Sequence, residues 1–178
     1  MEIKETGFAG CYELQPIVRK DTRGRFVKTF QQPIFREMNL VTDFAEEYYS
    51  VSVQNVIRGL HFQVPPADGE KVVYCVEGRI FDVVLDLRGN SKTYGKYFSC
   101  YLDCEFGNML YIPRGMAHGF CVLSKQALMM YKVASLYAPL QDQGIRWDTA
   151  GIPWPVAHPI LSERDQKFPP FQDFISPF

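Results

Sequence analysis

The sequence predicts an all-β protein, built as a sandwich or barrel of short strands. Aromatic residues make up 15% of the 178-residue chain and accompany 13 glycines and 12 prolines, a composition typical of strands joined by tight turns. Residues 81–88 alternate with a period of two, so Phe81, Val83, Leu85 and Leu87 share one face. Turn sequences recur at the short spacing of a sandwich or barrel.

The elements are predicted in chain order. The turn sequence from Asp21 to Gly24 lies between two extended runs, which predicts a β-hairpin within residues 13–30. Pro33 suits the first turn of a short helix that ends at Met38. Further strands are expected at 49–63, 71–76, 81–87, 96–102, 109–112, 118–123 and 128–136. After Pro139 the periodicity fades, which predicts a tail of short helices or loops.

Length and composition limit the class of protein. A chain of this length, 47% hydrophobic, predicts one domain over residues 1–178 with a substantial core. A net charge of −1 gives no general attraction to nucleic acid or to an anionic membrane. The five cysteines form no Cys-x-x-Cys motif and indicate buried thiols in a reducing compartment. With no apolar run long enough to cross a bilayer, the sequence predicts a cytoplasmic protein.

Two histidines fall on strands that the pattern predicts to be neighbours. His61 follows Arg58 on one strand, His118 begins another, and Tyr131 lies on a third. Histidine, cation and tyrosine together suffice for proton transfer, so the sequence predicts an enzyme. The chain has no His-x-His pair, and the remaining histidine, His158, lies in the proline-rich tail. We therefore expect neither a metal site nor a cofactor.

The chain resembles the dTDP-4-dehydrorhamnose 3,5-epimerases. The segments that carry the resemblance are Asp21 to Phe26, Arg58 to Gln63, Pro113 to Phe120, Gly144 to Asp148, Ile152 to Pro155 and Leu161 to Asp165. The resemblance implies a cupin-type jelly-roll β-barrel with an N-terminal hairpin and short C-terminal helices or loops. It also implies an enzyme that inverts C3 and C5 of a 4-keto-6-deoxyhexose linked to a nucleotide, dTDP. Such a step supplies activated deoxysugars such as dTDP-L-rhamnose.

Four residues match the family's catalytic positions. Removing a proton beside a ketone gives an enolate, so the reaction needs a base and a positive charge at the ketone oxygen. By resemblance His61 is the base, oriented by Asp165. Lys71 would stabilise the enolate oxygen, and Tyr131 would return a proton to the opposite face of the sugar.

Ten further residues match substrate-binding positions of the family. They are Arg23, Phe26, Lys28, Glu46, Tyr48, Arg58, His118, Tyr137, Asp142 and Arg164. The resemblance implies that Arg23 and Arg58 bind the diphosphate, for which guanidinium forks are well suited. His118 would support the site through hydrogen bonds, and Phe26 and Tyr137 would contact or stack on the base or sugar.

Two places depart from the family pattern, which has Glu at Lys28 and Gln-Asp-Asn at Glu46, Glu47 and Tyr48. These exchanges reverse hydrogen-bond donors and acceptors near the expected nucleotide base. Either the nucleotide preference has shifted from dTDP towards CDP, GDP or UDP, or Lys28 pairs with Glu46 or Glu47 without effect on specificity. Both interpretations stay open at this point.

Other functions remain as alternatives. A mono-epimerase would invert only C3 or only C5, as members of the wider family do. A ketoisomerase would move the carbonyl, and a non-catalytic sugar-nucleotide-binding barrel would leave His61 unpaired with Asp165. The resemblance implies a homodimer whose N-terminal hairpin crosses to the partner, where Arg23 and Phe26 would serve the neighbouring site.

Overall fold

Two antiparallel β-sheets form the body of the protein, as the computed structural model of residues 1–178 describes it. One sheet has the strand order β1-β2-β10-β7-β12-β5 and the other has the order β13-β6-β11-β8-β9. The strands are β1 Glu2–Glu5, β2 Tyr12–Gln15, β3 Val18–Asp21, β4 Gly24–Val27, β5 Glu46–Val53, β6 Ile57–Gln63, β7 Lys71–Glu77, β8 Arg79–Asp86, β9 Tyr97–Asp103, β10 Met109–Ile112, β11 Met116–Val122, β12 Gln126–Val133 and β13 Asp142–Gly144. The all-β prediction is confirmed.

The smaller elements largely match the sequence prediction. Strands β3 and β4 pair only with each other, as a hairpin that turns between Asp21 and Gly24. Helix α1 covers Gln32–Glu37 with Pro33 in its first turn. The tail contains β13, the helix α2 at Glu163–Gln166, and a 3₁₀ turn at Phe171–Asp173, with loops between them.

One predicted strand is two strands in the structure, and strands β1 and β13 were not predicted. The run expected at 49–63 is two strands, because Asn55 takes a left-handed backbone conformation (φ 66°) that ends β5, and asparagine tolerates this conformation well. Strand β1 escaped prediction because all four of its residues are exposed and show no apolar alternation. Strand β13 was also missed, since three residues are too few for a period to show.

The core has three layers that follow from the alternation of the strands. A cluster between the two sheets includes Val73, Val84 and Phe120. A second cluster lies between the five-stranded sheet and the tail, and a third lies under α1 around Phe35. The tail thus covers the outer face of the five-stranded sheet, and α1 covers part of the outer face of the six-stranded sheet, whose β5 end leaves Tyr49, Val51 and Val53 exposed. The space between the sheets is the barrel interior.

Strand β8 explains why polar residues occur deep in this interior. Phe81 and Val83 face the tail as the alternation predicts. The opposite face points into the barrel and carries Asp82 and Asp86, both fully buried. Buried carboxylates require partners, and the partner of Asp82 belongs to the candidate site described below.

Candidate active site

A cavity opens between the ends of β5, β6 and β7 and the tail. Its lining residues are Glu46, Tyr48, His61, Phe62, Gln63, Lys71, Val133, Ser135, Tyr137, Asp142 and Arg164. A second depression, on the other side of His61, is lined by Arg58, Arg164 and Asp165 among others. His61 is therefore accessible from both.

His61 and Asp165 form the central pair of the cavity. The ring nitrogen Nε2 of His61 lies 2.9 Å from Asp165 Oδ1, and the Gly59 backbone N–H donates to Oδ2 at 3.0 Å. Burial alone would raise the pKa of the Asp165 carboxyl, but these hydrogen bonds outweigh it and hold the pKa below its usual value. An ionised carboxylate thus fixes the His61 tautomer and leaves Nδ1 free to act as a base.

Local sequence holds this pair in place. Ser162 caps α2 by accepting a hydrogen bond from the Asp165 backbone N–H at 3.0 Å, which sets the start of the helix that carries Asp165. Gly59 has φ 131°, and a Cβ there would lie 2.6 Å from Gly119 Cα on β11. Only glycine allows this close approach of β6 to β11 beside His61.

The tail also packs on His61. The Phe168 ring meets the His61 imidazole edge-on, with ring centroids 5.6 Å apart. Phe168 occupies the space that a side chain at Gly144 would fill. A bulkier residue at 144 would therefore move the ring that orients His61.

Lys71 opens β7 with its ammonium group in the cavity. Val73 and Cys75, two and four residues further on, lie in the barrel interior, so the predicted inward orientation of this face is confirmed. Burial lowers the pKa of Lys71 to about 8, and the Asp142 carboxylate partly opposes the shift. A cation with this pKa is still mostly charged at neutral pH.

Tyr131 lies deeper, at the centre of β12. Its hydroxyl is 3.1 Å from the Ser50 hydroxyl, and its ring stacks on Tyr48 with centroids 4.8 Å apart. Burial raises the pKa of the Tyr131 phenol well above its usual value, and the nearby Arg58 opposes this only weakly. The phenol therefore keeps its proton at neutral pH.

His118 lies directly opposite His61 in the pairing of β11 with β6. Its Nε2 is 2.8 Å from Asp82 Oδ2, and both side chains are buried. Burial raises the pKa of the Asp82 carboxyl, although His118 opposes the shift, and Oδ1 has no hydrogen-bond partner. Sequence reasoning missed Asp82, although an acid within an apolar strand was the available signal.

Polar residues fix the rim of the cavity. Arg164 and Asp142 form an ion pair at 2.6 Å. The Gln63 side chain donates to Leu136 O at 3.1 Å and accepts from the backbone N–H of Ala138 at 2.6 Å. The backbone N–H of Tyr137, between them, donates to Glu46 at 3.0 Å. Gln63, which sequence reasoning did not assign to the site, thus holds the segment that carries Tyr137.

Arg58 extends the site away from the cavity. Its Nε donates to Ser52 Oγ at 2.8 Å, which orients the guanidinium along β5. Its Nη2 also donates to the backbone oxygen of Val51, at 3.4 Å. Arg58 lines the same depression as His61, and its Nη1 is the nitrogen that remains for an anionic group.

Three predicted binding residues lie elsewhere. Arg23 is exposed at the hairpin tip and pairs with Asp21 at 2.6 Å, and Phe26 is 59% exposed. Phe26 and Lys28 line a separate depression with residues of β3. A single chain therefore does not bring Arg23, Phe26 and Lys28 to the His61 cavity.

The interpretation in which Lys28 pairs with Glu46 or Glu47 is not found within the chain. Glu47 forms its ion pair with Lys132 on the neighbouring strand β12. Glu46 is engaged by the Tyr137 backbone.

No group of three or more His, Cys, Asp or Glu side chains is arranged to hold a metal ion. No helix is long and apolar enough to span a membrane.

The geometry defines an acid–base enzyme site, since a carboxylate-oriented histidine and a lysine share one cavity with a protonated tyrosine behind it. The family model for dTDP-4-dehydrorhamnose 3,5-epimerase matches residues 5–173. A relative of that name from Shigella flexneri is 39% identical over 98% of this chain and 100% of its own length. The chain therefore belongs to the dTDP-4-dehydrorhamnose 3,5-epimerase family and is an epimerase.

Similar proteins include both 3,5-epimerases and a 3-epimerase. The dTDP-6-deoxy-D-glucose-3,5-epimerase of Legionella pneumophila, solved in complex with dTDP-4-keto-L-rhamnose, is 31% identical with a TM-score of 0.92, over 98% of this chain and 94% of that one. A dTDP-4-dehydrorhamnose 3-epimerase of Streptomyces niveus is 38% identical over 93% of this chain and 82% of its own length. The fold is the cupin-like jelly roll that the resemblance implied.

Proposed function

We propose that this epimerase inverts C3 and C5 of a dTDP-linked 4-keto-6-deoxyhexose by acid–base proton transfer. The observation that carries the proposal is the His61–Asp165 pair, which lies on a cavity shared with Lys71. The family membership supports the same reaction.

His61 acts first in this proposal. Its free nitrogen removes the proton from the carbon beside the ketone, and the C–H electrons move to the ketone oxygen. The Asp165 carboxylate, whose pKa is held low, stabilises the imidazolium that forms. The hydrogen bonds of Asp165 with the Gly59 backbone N–H and with Ser162 keep the carboxylate in place during this step.

Lys71 stabilises the enolate. A compact ammonium near the ketone oxygen offsets the negative charge that develops there, and the effect is large in a partly dry cavity. The lowered pKa of about 8 leaves Lys71 charged at neutral pH.

Tyr131 completes the inversion by giving its proton to the other face of the carbon. A phenol that burial keeps protonated is suited to donate, because the proton is present when the enolate forms. His118, held by Asp82, lies edge-on to the Tyr131 ring with centroids 6.3 Å apart and supports its placement.

The remaining residues bind the sugar nucleotide. Arg58 takes the diphosphate, and Arg164, held by Asp142, contributes at the rim. Tyr137 stacks on the base or sugar from its fixed segment, and Glu46 and Tyr48 form the facing wall. No cofactor is required by this scheme.

Product analysis tests the proposal. The protein is incubated with dTDP-4-keto-6-deoxyglucose, the products are trapped with borohydride and hydrolysed, and the 6-deoxyhexoses are separated by chromatography. Sugars inverted at both carbons are expected. Inversion at C3 alone would instead match the relative from Streptomyces niveus, and unchanged sugar would contradict the proposal.

We also propose a homodimer in which the hairpin serves the neighbouring site. The exposure of Phe26 and Arg23, away from the cavity of their own chain, supports this arrangement. In the test, two inactive variants, Arg23→Ala and His61→Ala, are unfolded, mixed in equal amounts and refolded together. Random pairing gives half heterodimers with one intact site each, so activity should return to about one quarter of wild type. No recovery, or a monomer in light scattering, would contradict it.

The nucleotide is proposed to be dTDP, in line with the relatives, although Lys28 and Glu46 leave a second candidate. Glu46 accepts a hydrogen bond from Tyr137, and its other oxygen can still accept from an amino group on a base. Titration with dTDP, CDP, GDP and UDP decides: tightest binding of dTDP supports the proposal, and tighter binding of CDP or GDP favours the alternative.

The cytoplasm remains the proposed location. All five cysteines are unpaired, as a reducing compartment requires.

A reductase acting on the C4 ketone would be the class of enzyme that consumes the product.

A further inference from the structure

Tyr48 covers the proposed proton donor. The pairing of β5 with β12 puts Tyr48 opposite Tyr131, and the two rings stack with 19° between their planes. Tyr48 is 46% exposed and lines the cavity with His61 and Lys71. Tyr131 is 8% exposed and does not line that cavity. One face of the Tyr131 ring is therefore shielded by Tyr48.

Strand β5 holds Tyr131 at two points. The Ser50 hydroxyl contacts the phenol oxygen at 3.1 Å, and Tyr48, two residues away on the same face of the strand, contacts the ring. His118 meets the ring only edge-on. Ser50 therefore fixes the oxygen, whereas the plane of the ring depends on Tyr48.

We propose that Tyr48 is a positioning residue for Tyr131: its stacked ring sets the plane of the Tyr131 ring, whose oxygen Ser50 holds, and keeps water off the phenol, so that the enolate is protonated from the inverting face. Near-parallel aromatic stacking is a favourable and directional contact. Exclusion of water prevents stray protonation of a reactive intermediate. This inference rests on the proposed function, because it assigns Tyr48 a part in the same reaction.

The inference separates two fates of the enolate. Once His61 has taken the C–H proton, it can return a proton to the same face, which restores the original configuration. Alternatively the Tyr131 O–H bond breaks, its proton goes to the other face of the carbon, and the phenolate later recovers a proton as His61 releases its own to solvent. Loss of Tyr48 leaves the His61–Asp165 contact intact, so it should slow only the second fate.

Two variants at position 48 test this in heavy water. Tyr48→Phe keeps the stacked ring, and Tyr48→Ala removes it. NMR measures deuterium in recovered, uninverted dTDP-4-keto-6-deoxyglucose and in inverted product. Relative to wild type, the ratio of exchange to inversion should stay within about twofold for Tyr48→Phe and rise about tenfold for Tyr48→Ala, as loss of a stacking contact implies.

An unchanged ratio in Tyr48→Ala would overturn the inference. So would an equal rise in both variants, because the Tyr48 hydroxyl rather than its ring would then be the group that matters.

A substrate-free measurement keeps this test distinct from the test of the function itself. The ultraviolet absorbance of phenolate is titrated in each Tyr48 variant and in the same variant carrying Tyr131→Phe, and the difference reports Tyr131. Tyr131 should ionise at lower pH in Tyr48→Ala than in Tyr48→Phe, because the phenol is then less buried. Identical titrations would contradict the shielding role, whereas a wild-type protein that neither exchanges nor inverts would contradict the proposed function alone.

Discussion

Two histidine–carboxylate pairs face each other across β6 and β11, and their surroundings give them different properties. The Asp165 carboxylate accepts hydrogen bonds from His61 and Gly59, which hold its pKa low. The Asp82 carboxylate has one partner, His118, and burial raises its pKa. The first pair is thus suited to stabilise a developing imidazolium at the cavity, and the second is suited to hold a ring in place.

The ionised Asp165 leads to the first prediction. Asp165→Asn keeps an acceptor for the Gly59 N–H but removes the charge that stabilises the imidazolium of His61. The turnover number should fall about 10²- to 10⁴-fold, as expected for loss of directed general-base catalysis. Steady-state kinetics with circular dichroism as a folding check measures this.

Asp148→Asn is the matched control, because Asp148 pairs with Arg146 near the surface and does not line the cavity. It should keep wild-type turnover. Equal turnover in the two variants would remove Asp165 from the mechanism.

Lys71 sets the expected dependence on pH. The ammonium is the active form, and its pKa of about 8 means that the charge is lost as pH rises through that value. The quotient kcat/KM, which reports the free enzyme, should therefore fall about tenfold per pH unit above pH 8. Arginine stays charged in this range, so Lys71→Arg should lose this alkaline limb even if its activity is lower. An alkaline limb unchanged in Lys71→Arg would assign the titration to another group.

At the scale of elements, the site depends on how closely β6 approaches β11. Gly59 and Gly24 have similar positive φ values, 131° and 124°, but a Cβ at 24 meets nothing within 4 Å. Gly59→Ala should therefore cost about 2–4 kcal/mol of unfolding free energy, and Gly24→Ala about 1 kcal/mol, from strain alone. Urea unfolding of both variants gives the difference. Equal losses would mean that the close approach contributes nothing.

Strand alternation could be predicted from the sequence, and irregular features could not. The inward faces of β7 and β8 follow from a period of two, which correctly orients Lys71. The end of β5 at Asn55 depends on one backbone conformation, and exposed strands such as β1 are set by pairing with neighbours rather than by their own pattern.

At the scale of the whole molecule, the site joins residues far apart in the chain. His61 and Asp165 are 104 positions apart, and their contact requires the tail to fold back over the five-stranded sheet. Their pairing was expected from family resemblance, since no local pattern encodes it. The partners of Asp82 and Gln63, which are His118 and the segment around Tyr137, are also distant in sequence. The acid within the apolar run of β8 could have pointed to Asp82, but no local pattern identifies Gln63.

The central claim is that His61, oriented by Asp165, removes protons from both carbons beside the ketone. The most direct measurement incubates the protein with dTDP-4-keto-6-deoxyglucose in heavy water and follows deuterium at C3 and C5 by NMR, with His61→Ala alongside. We predict deuterium at both carbons with the wild-type protein and at neither with His61→Ala. Uptake that persists in His61→Ala, or no uptake at either carbon with the wild-type protein, would contradict the account.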